Sequence, residues 1–108
     1  MTKNKKKTQT LTGKQVRYLK GLGHHLKPLA MLGKEGITDN VTGAVDAVLD
    51  AHELVKVKVG NSCPMDRKEA AAELAAKTFS AKVQVLGKTI LLFRQNPDRP
   101  NDLAIKLP

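Results

Sequence analysis

The hydrophobic pattern switches repeatedly between a helical period and a strand period, and this feature constrains the fold of the chain most strongly. Helical spacing or helix-forming composition covers residues 12–26, 38–52 and 66–79, and strand-like runs cover residues 29–32, 54–59, 82–86 and 89–94. The predicted order is therefore helix–strand–helix–strand–helix–strand–strand. A chain of 108 residues with this order is predicted to form one domain of the α+β class.

The connections between the predicted strands determine their directions. Helical crossovers join the first three strands, and such crossovers are right-handed and make the joined strands parallel. Gly87 and Lys88 instead fit a two-residue type II′ hairpin, which makes the last strand antiparallel. The sheet is therefore predicted to be mixed and four-stranded.

Side-chain alternation indicates which strand surfaces are buried. Residues 54–59 alternate between a valine face and a lysine-containing face, and Val83 and Val85 are expected to share one face in the same way. A sheet covered on both faces does not alternate like this, so we expect helices mainly on one face, in a two-layer α/β sandwich. Residues 90–93 do not alternate, which predicts a central position for the last strand.

Two segments fall outside the predicted domain of residues 11–95. Residues 1–10 are rich in lysine and threonine and have no apolar period, which predicts a disordered basic arm. Residues 96–108 contain three prolines and few candidate core residues. We therefore expect a loosely attached, proline-containing C-terminal tail.

The positive charge of the chain is concentrated in its first third. Nine of the 19 Lys and Arg residues lie within residues 1–34, where there is no acid, and the other ten balance the ten acids of the remainder. The net charge of +9 therefore indicates a polyanionic partner, first a nucleic acid and second an anionic membrane. No apolar run is long enough to span a membrane, and the first helix offers no Trp or Phe for interfacial binding, so no membrane partner is predicted.

The predicted first helix has a cationic side without acids. Lys14, Arg17, Lys20 and His24 lie opposite its apolar stripe, and Lys27 follows it. Solvated helix surfaces usually interleave acids that pair at i,i+4 spacing, and this surface has none. We therefore predict that these residues contact nucleic-acid phosphates; an ordinary solvated helix surface is the alternative.

The residues Gly33-Lys34-Glu35-Gly36 connect a predicted strand to a predicted helix. Two glycines permit a tight turn and a close approach of the backbone to a ligand, as in GxxG loops that clamp a nucleic-acid backbone. Lys34 adds a cation at the tip, whereas Glu35 adds a carboxylate that repels phosphate. An ordinary strand–helix turn is the alternative. Because we expect the loop to be exposed, Gly36→Asp is expected to leave the fold intact.

No pattern in the chain indicates catalysis or a metal centre. His24 and His25 are adjacent and point about 100° apart on a helix, with no further ligand at a suitable spacing. Asp46, Asp50 and Glu53 have the spacing of a solvated acidic face. We therefore predict no enzymatic activity, no metal and no cofactor. The single cysteine of the chain fits a reducing compartment, and we expect a cytoplasmic monomer.

Several motifs of the chain resemble, in the same order, those of the CRM domain family. They are Leu11-Thr12-Gly13-Lys14-Gln15, then Leu19 to His24, Leu26-Lys27-Pro28, Leu32 to Thr38, Glu53 to Lys58, and Val83 to Thr89. The resemblance covers residues 11–94. It implies an RNA-binding domain similar to the C-terminal domain of bacterial translation initiation factor three, with two layers and a mixed sheet of strand order 1-2-4-3.

A stand-alone domain of this size is similar to the bacterial YhbY-type members of that family. This resemblance implies binding to ribosomal RNA in precursors of the large subunit and a role in ribosome assembly. It assigns the RNA-facing role to the loop of residues 33–36 and to the basic helix with Lys14, Arg17, Lys20 and His24. A ribosome-docking adaptor that acts mainly through protein contacts is the alternative.

Overall fold

The computed structural model describes residues 10–100 and 102–108. The elements are, in chain order, α1 (Gly13–Gly23), β1 (Ala30–Leu32), α2 (Asp39–His52), β2 (Leu54–Val59), α3 (Arg67–Thr78), β3 (Ala81–Leu86) and β4 (Thr89–Phe93). The predicted order of elements is confirmed, and the largest difference in bounds is the earlier end of α1. The predicted basic arm lies outside the described residues except for Thr10.

The four strands form one mixed sheet in the order β1-β2-β4-β3. β1 pairs parallel with β2, and β4 pairs antiparallel with both β2 and β3. The predicted strand order and the central position of β4 are therefore confirmed. Gly87 has φ of 57° and Lys88 is not among the residues with positive φ, as a type II′ hairpin between β3 and β4 requires.

One face of the sheet is covered by α2 and α3. Val55, Val57 and Ile90 pack there against Leu49 of α2 and Leu74 of α3, and all five side chains are at least 99% buried. Burial of a side chain of this size stabilises the fold by about 1.5–3 kcal/mol. This aliphatic cluster is the larger core of the domain.

The opposite face of the sheet is covered by α1, which differs from the expectation that helices lie mainly on one face. Leu54, Leu91 and Phe93 alternate with the residues of the larger core and pack against Leu19 of α1. Ile105, from the C-terminal segment, packs against the same cluster. The prediction holds for α2 and α3 and is wrong for α1, because the apolar positions of β4 face both sides.

The prediction that Val83 and Val85 share one face is wrong, because a β-bulge interrupts the regular alternation of β3. The pairing of β3 with β4 shifts between Lys82 and Gln84, so one extra residue enters β3. Val83 lies in the cluster under α1, and the extra residue consequently turns Val85 to the α2–α3 side. A one-residue shift of this kind moves every following side chain to the other face.

Gly23 allows α1 to lie close to the sheet. A Cβ atom at this position would lie 2.6 Å from Cδ2 of Leu91, which is closer than van der Waals contact permits. The absence of a side chain therefore lets α1 lie directly against Leu91 of β4.

The C-terminal segment is fastened to the domain by Glu53, which is fully buried. One carboxylate oxygen of Glu53 accepts hydrogen bonds from the amide of Ile105 at 2.7 Å and from Arg99 at 3.0 Å, and the other accepts one from the amide of Asn96 at 2.7 Å. Leu107 packs beside Ile105 in the cluster under α1. The expectation of a loosely attached tail is therefore wrong for the described part of residues 96–108.

Asp46 and Asp50 do not form a solvated acidic face. Arg94 is 4% exposed. Its guanidinium lies 2.6 Å from a carboxylate oxygen of Asp46 and 2.8 Å from one of Asp50. It also donates to the carbonyl oxygen of Thr78. The expectation is wrong because spacing within α2 does not reveal the basic residue that follows β4.

Across residues 10–100 and 102–108, no helix combines the length and the apolar character needed to cross a membrane.

Candidate nucleic-acid interface

The cationic side of α1 is exposed to solvent. Lys14, Arg17 and Lys20 are exposed along the helix, and His24 is exposed at its C-terminal cap. Leu19 points the other way and is fully buried in the cluster beneath the helix. The sequence prediction of an amphipathic helix with a basic outer surface is therefore confirmed.

The N-terminus of α1 is capped without a charge. The hydroxyl of Thr12 accepts a hydrogen bond from the amide of Gln15, and the side chain of Gln15 accepts one from the amide of Thr12. Glu is common at the position of Gln15 in such capping boxes, and the first turn of α1 contains no acid. Lys14 therefore stands uncompensated at the positive end of the helix dipole, an arrangement that costs about 0.3–1 kcal/mol and favours an anionic ligand.

The ion pairs of the described residues lie away from this surface. They join Lys77 to Glu73, Arg94 to two aspartates of α2, and Arg99 to Glu53. None of them involves a predicted contact residue of α1. The cations of α1 are therefore available to bind an anionic ligand.

The loop of residues 33–36 is a tight turn at the end of the edge strand β1. The amide of Gly36 donates a hydrogen bond of 3.0 Å to the carbonyl oxygen of Gly33, and the two residues also form an isolated β-bridge. The side chains of Lys34 and Glu35 are exposed at the tip. The predicted geometry of a glycine-bounded turn with an exposed tip is therefore present.

Gly36 is buried, contrary to the expectation that the whole loop is exposed. Its φ of 70° is one that side-chain-bearing residues rarely adopt, and a Cβ atom there would contact Pro64 and Met65 at 3.7–3.9 Å. Gly36→Asp would therefore strain the backbone as well as add a charge. Gly33 has no such φ and no atom within 4 Å of an added Cβ, so a side chain can be added there without strain.

The charge at the loop tip is not strongly positive. Glu35 stands beside Lys34, and Asp39 occupies the first turn of α2, whose N-terminus is capped by the hydroxyl of Thr38. A phosphate near this turn meets two acids and one lysine. The loop can therefore contribute a close backbone approach, while α1 supplies the charge.

A short strand separates the two predicted parts of the interface. Leu29 follows the end of α1 and donates to the carbonyl oxygen of Lys56, and β1 then runs for three residues to Gly33. At about 3.3 Å per residue this strand spans about 10 Å. Lys27 lies exposed in the connection between α1 and β1.

Two lysines of β2 were not among the predicted contact residues. Lys56 pairs in register with Leu91, and Lys58 with Thr89. Because Leu91 faces α1, alternation places both lysines on the face of the sheet that carries α1. Their alternation is visible in the sequence, but the side on which α1 packs is not, so only the structure relates them to the basic helix.

The adjacent histidines stack edge to face, with ring centroids 5.4 Å apart. No cluster of three or more His, Cys, Asp or Glu side chains suited to a metal occurs in the part of the chain that the structure describes. His24 therefore stands as a polar residue at the end of the basic surface.

Comparison with known proteins places these features in a family. The family model for the CRS1/YhbY (CRM) domain matches residues 11–94, which include α1, the turn at residues 33–36 and all four strands. The chain belongs to the CRM family. This match confirms the resemblance that the sequence motifs indicated, with the same bounds.

Relatives of similar size match nearly the whole chain. "Probable RNA-binding protein YqeI" of Bacillus subtilis is 38% identical over 91% of this chain and 99% of its own length. A Haemophilus influenzae protein named "RNA-binding protein" is 37% identical over 92% of this chain and 96% of its own length. These names describe RNA binding and not a catalytic activity. The chain therefore fits the single-domain, YhbY-type members of the CRM family.

A solved structure shares the fold. The solution structure of SAV1595 from Staphylococcus aureus superposes with a TM-score of 0.76 and 39% sequence identity, covering 92% of this chain and all of that one. The fold of this chain is therefore shared with a solved protein of similar sequence.

Proposed function

We propose that this CRM protein binds RNA through the basic side of α1, with the turn at residues 33–36 approaching the same RNA. The observation that carries the proposal is the exposed cationic row of Lys14, Arg17 and Lys20, which no acid of the described residues pairs. Contacts from such a row to phosphates supply affinity and are sensitive to salt. The names of the relatives support RNA as the ligand.

The finer proposal is that the RNA is ribosomal RNA in precursors of the large subunit, and that binding assists assembly without catalysis. Its support is the similarity of the chain to YhbY-type CRM proteins. The protein would act as a monomer in the cytoplasm, a reducing compartment compatible with its single free cysteine, Cys63. Lys27, Lys34, Glu35 and His24 are proposed as further contacts around the row on α1.

The test is co-sedimentation with purified large-subunit precursors, before and after treatment with ribonuclease. We expect binding by the wild type and its loss after ribonuclease. Arg17→Ala combined with Lys20→Ala should weaken binding at least tenfold, because each phosphate contact that is lost contributes about 1 kcal/mol or more. The matched control is Lys77→Ala combined with Lys82→Ala, which removes the same charge from exposed positions of α3 and β3.

The control double variant is expected to bind within about twofold of the wild type, because exposed substitutions away from a contact change little. Binding that survives ribonuclease would contradict the RNA proposal and support an adaptor that docks through protein contacts. Preference for mature subunits over precursors would contradict the assembly role alone.

A further inference from the structure

An open groove lies between the C-terminal end of α1, the connection that follows it and the start of β2. Its volume is about 430 Å³, and we call it the leucine groove. The residues that matter for the argument are Leu22, Leu26, Lys27, Leu29, Lys56 and Ile105. The volume falls in the range of about 300–1,000 Å³ that is usual for ligand sites.

The groove exposes apolar side chains that the fold does not need on its surface. Leu22 is 36%, Leu26 38% and Leu29 58% exposed, although Leu22 and Leu26 continue the apolar stripe that is fully buried at Leu19. They stay uncovered because α1 ends at Gly23 and the chain turns toward β1. Grouped exposed leucines with a polar rim are typical of an interaction site.

The rim of the groove is cationic. Lys27, Lys56 and His52 line it, and no acidic residue does. Lys27 also belongs to the proposed interface and lies three positions after His24. The groove continues the apolar side of α1, and Lys27, in the connection that follows the helix, lies both at the groove and next to the basic residues of the interface. A polyanion that follows this connection reaches the edge of the groove.

We propose that the leucine groove receives one unpaired base of the RNA, with Lys27 and Lys56 contacting the adjoining phosphates. The inference rests on the proposed RNA-binding function and deepens it. Phosphate contacts fix position and carry no sequence information, whereas proteins that recognise RNA sequence read bases splayed out of loops and bulges. An apolar cleft beside a cationic row provides a place for such a base.

Aliphatic side chains make up most of this site. The Tyr and Phe residues of the chain are Tyr18, Phe79 and Phe93, and none of them lines the groove, whereas the imidazole of His52 does. Both faces of a base can pack against leucine and isoleucine methyl groups by dispersion and burial of apolar surface. Ile105 contributes one wall, so the C-terminal segment that Glu53 fastens is part of the site.

The test compares an RNA duplex with the same duplex carrying a bulge of unpaired nucleotides. The wild type should bind the bulged RNA about tenfold more tightly, a difference of the size that one buried base can give. Leu26→Gln combined with Leu29→Gln should abolish this preference while leaving duplex affinity unchanged. The control is Leu86→Gln, at a 65% exposed leucine outside the groove, which should keep the preference.

A spectroscopic readout locates the base directly. Through its ring current, a base packed in the groove should shift the methyl resonances of Leu26, Leu29 and Ile105 upfield in the complex with bulged RNA and not with the duplex. Unshifted methyls, or a preference that survives the double substitution, would overturn the base site. So would an acidic amphipathic peptide that shifts these methyls when neither RNA does, since the occupant would then be a protein segment.

The same experiment distinguishes failure of the proposed RNA-binding function from failure of the proposed base site. If the wild type binds neither RNA at low salt, the proposed RNA-binding function fails. If it binds both RNAs equally, only the base site in the leucine groove fails.

Discussion

Helix α1 and the C-terminal segment both use charged side chains, but they use them in opposite ways. On α1, Lys14, Arg17 and Lys20 are exposed and belong to none of the ion pairs of the described residues. In the C-terminal segment, Arg99 reaches a carboxylate that has no exposure at all, Glu53. The exposed cations of α1 are available to bind a ligand, whereas the buried ion pair of the C-terminal segment stabilises the fold.

The contrast teaches how a functional charge differs from a structural one. A buried carboxylate is tolerated only when hydrogen bonds compensate its desolvation, and Glu53 accepts three of them. A row of exposed cations without acids repels itself and adds nothing to stability. Such a row is expected where a polyanionic partner binds.

The sharpest way to separate the two regions is Glu53→Ala. It leaves Arg99 and two amides in a buried setting without their acceptor, so we expect the free energy of unfolding to fall by about 3–5 kcal/mol. Affinity for duplex RNA, which does not use the groove lined by Ile105, should remain close to that of the wild type under conditions where the variant is folded. Chemical denaturation and RNA titration of the same samples measure the two quantities.

Glu73→Ala is the matched control, because Glu73 pairs with Lys77 at 3.9 Å on the surface of α3. Its effect should stay within about 0.5 kcal/mol. Should Glu53→Ala fail to fold, Glu53→Gln keeps one carbonyl acceptor and should lie between the wild type and the alanine variant. Equal stability of the Glu53 and Glu73 variants would contradict the claim that the buried carboxylate of Glu53 stabilises the fold more than a surface charge does.

At the turn of residues 33–36 we expect the opposite pattern, a loss of RNA affinity with little change in stability. This loss is smaller than the loss of stability expected for Glu53→Ala. Gly33→Asp places a carboxylate where the backbone is proposed to approach phosphate, so RNA affinity should fall about tenfold, or about 1.4 kcal/mol. Stability should change by less than about 0.5 kcal/mol, because the site has no atom within 4 Å of an added Cβ. Gly33→Ala is the control for the added side chain alone.

An unchanged affinity of Gly33→Asp would show that the turn is an ordinary strand–helix connection. An equal loss for Gly33→Ala and Gly33→Asp would point to backbone geometry and not to charge. Equilibrium titration with labelled RNA at constant ionic strength separates these results.

The sequence predicts α1 and the central position of β4 well because both depend on local patterns. The stripe through Leu19 and the capping box at Thr12 define the helix. The uninterrupted apolar run at residues 90–93 predicts a central strand, and β4 lies between β2 and β3. Resemblance to the CRM family adds the strand order 1-2-4-3, which the structure confirms.

The sequence does not predict features that depend on contacts distant along the chain. Glu53 looks like one more acid of a solvated helix, and only its contacts with Asn96, Arg99 and Ile105 make it a buried acceptor. The bulge near Val83 depends on its pairing with β4. The leucine groove depends on where α1 ends above the sheet, which the stripe of leucines alone does not indicate.

The most direct test of the central claim is the salt dependence of RNA affinity. With four to six phosphate contacts, the logarithm of the association constant should fall against the logarithm of the salt concentration with a slope of roughly −3 to −5. Arg17→Ala combined with Lys20→Ala should make this slope shallower by about 2, while Lys77→Ala combined with Lys82→Ala leaves it unchanged. A slope that is the same in the wild type and the α1 variant, or reduced equally in both double variants, would contradict the claim that α1 is the RNA-binding surface.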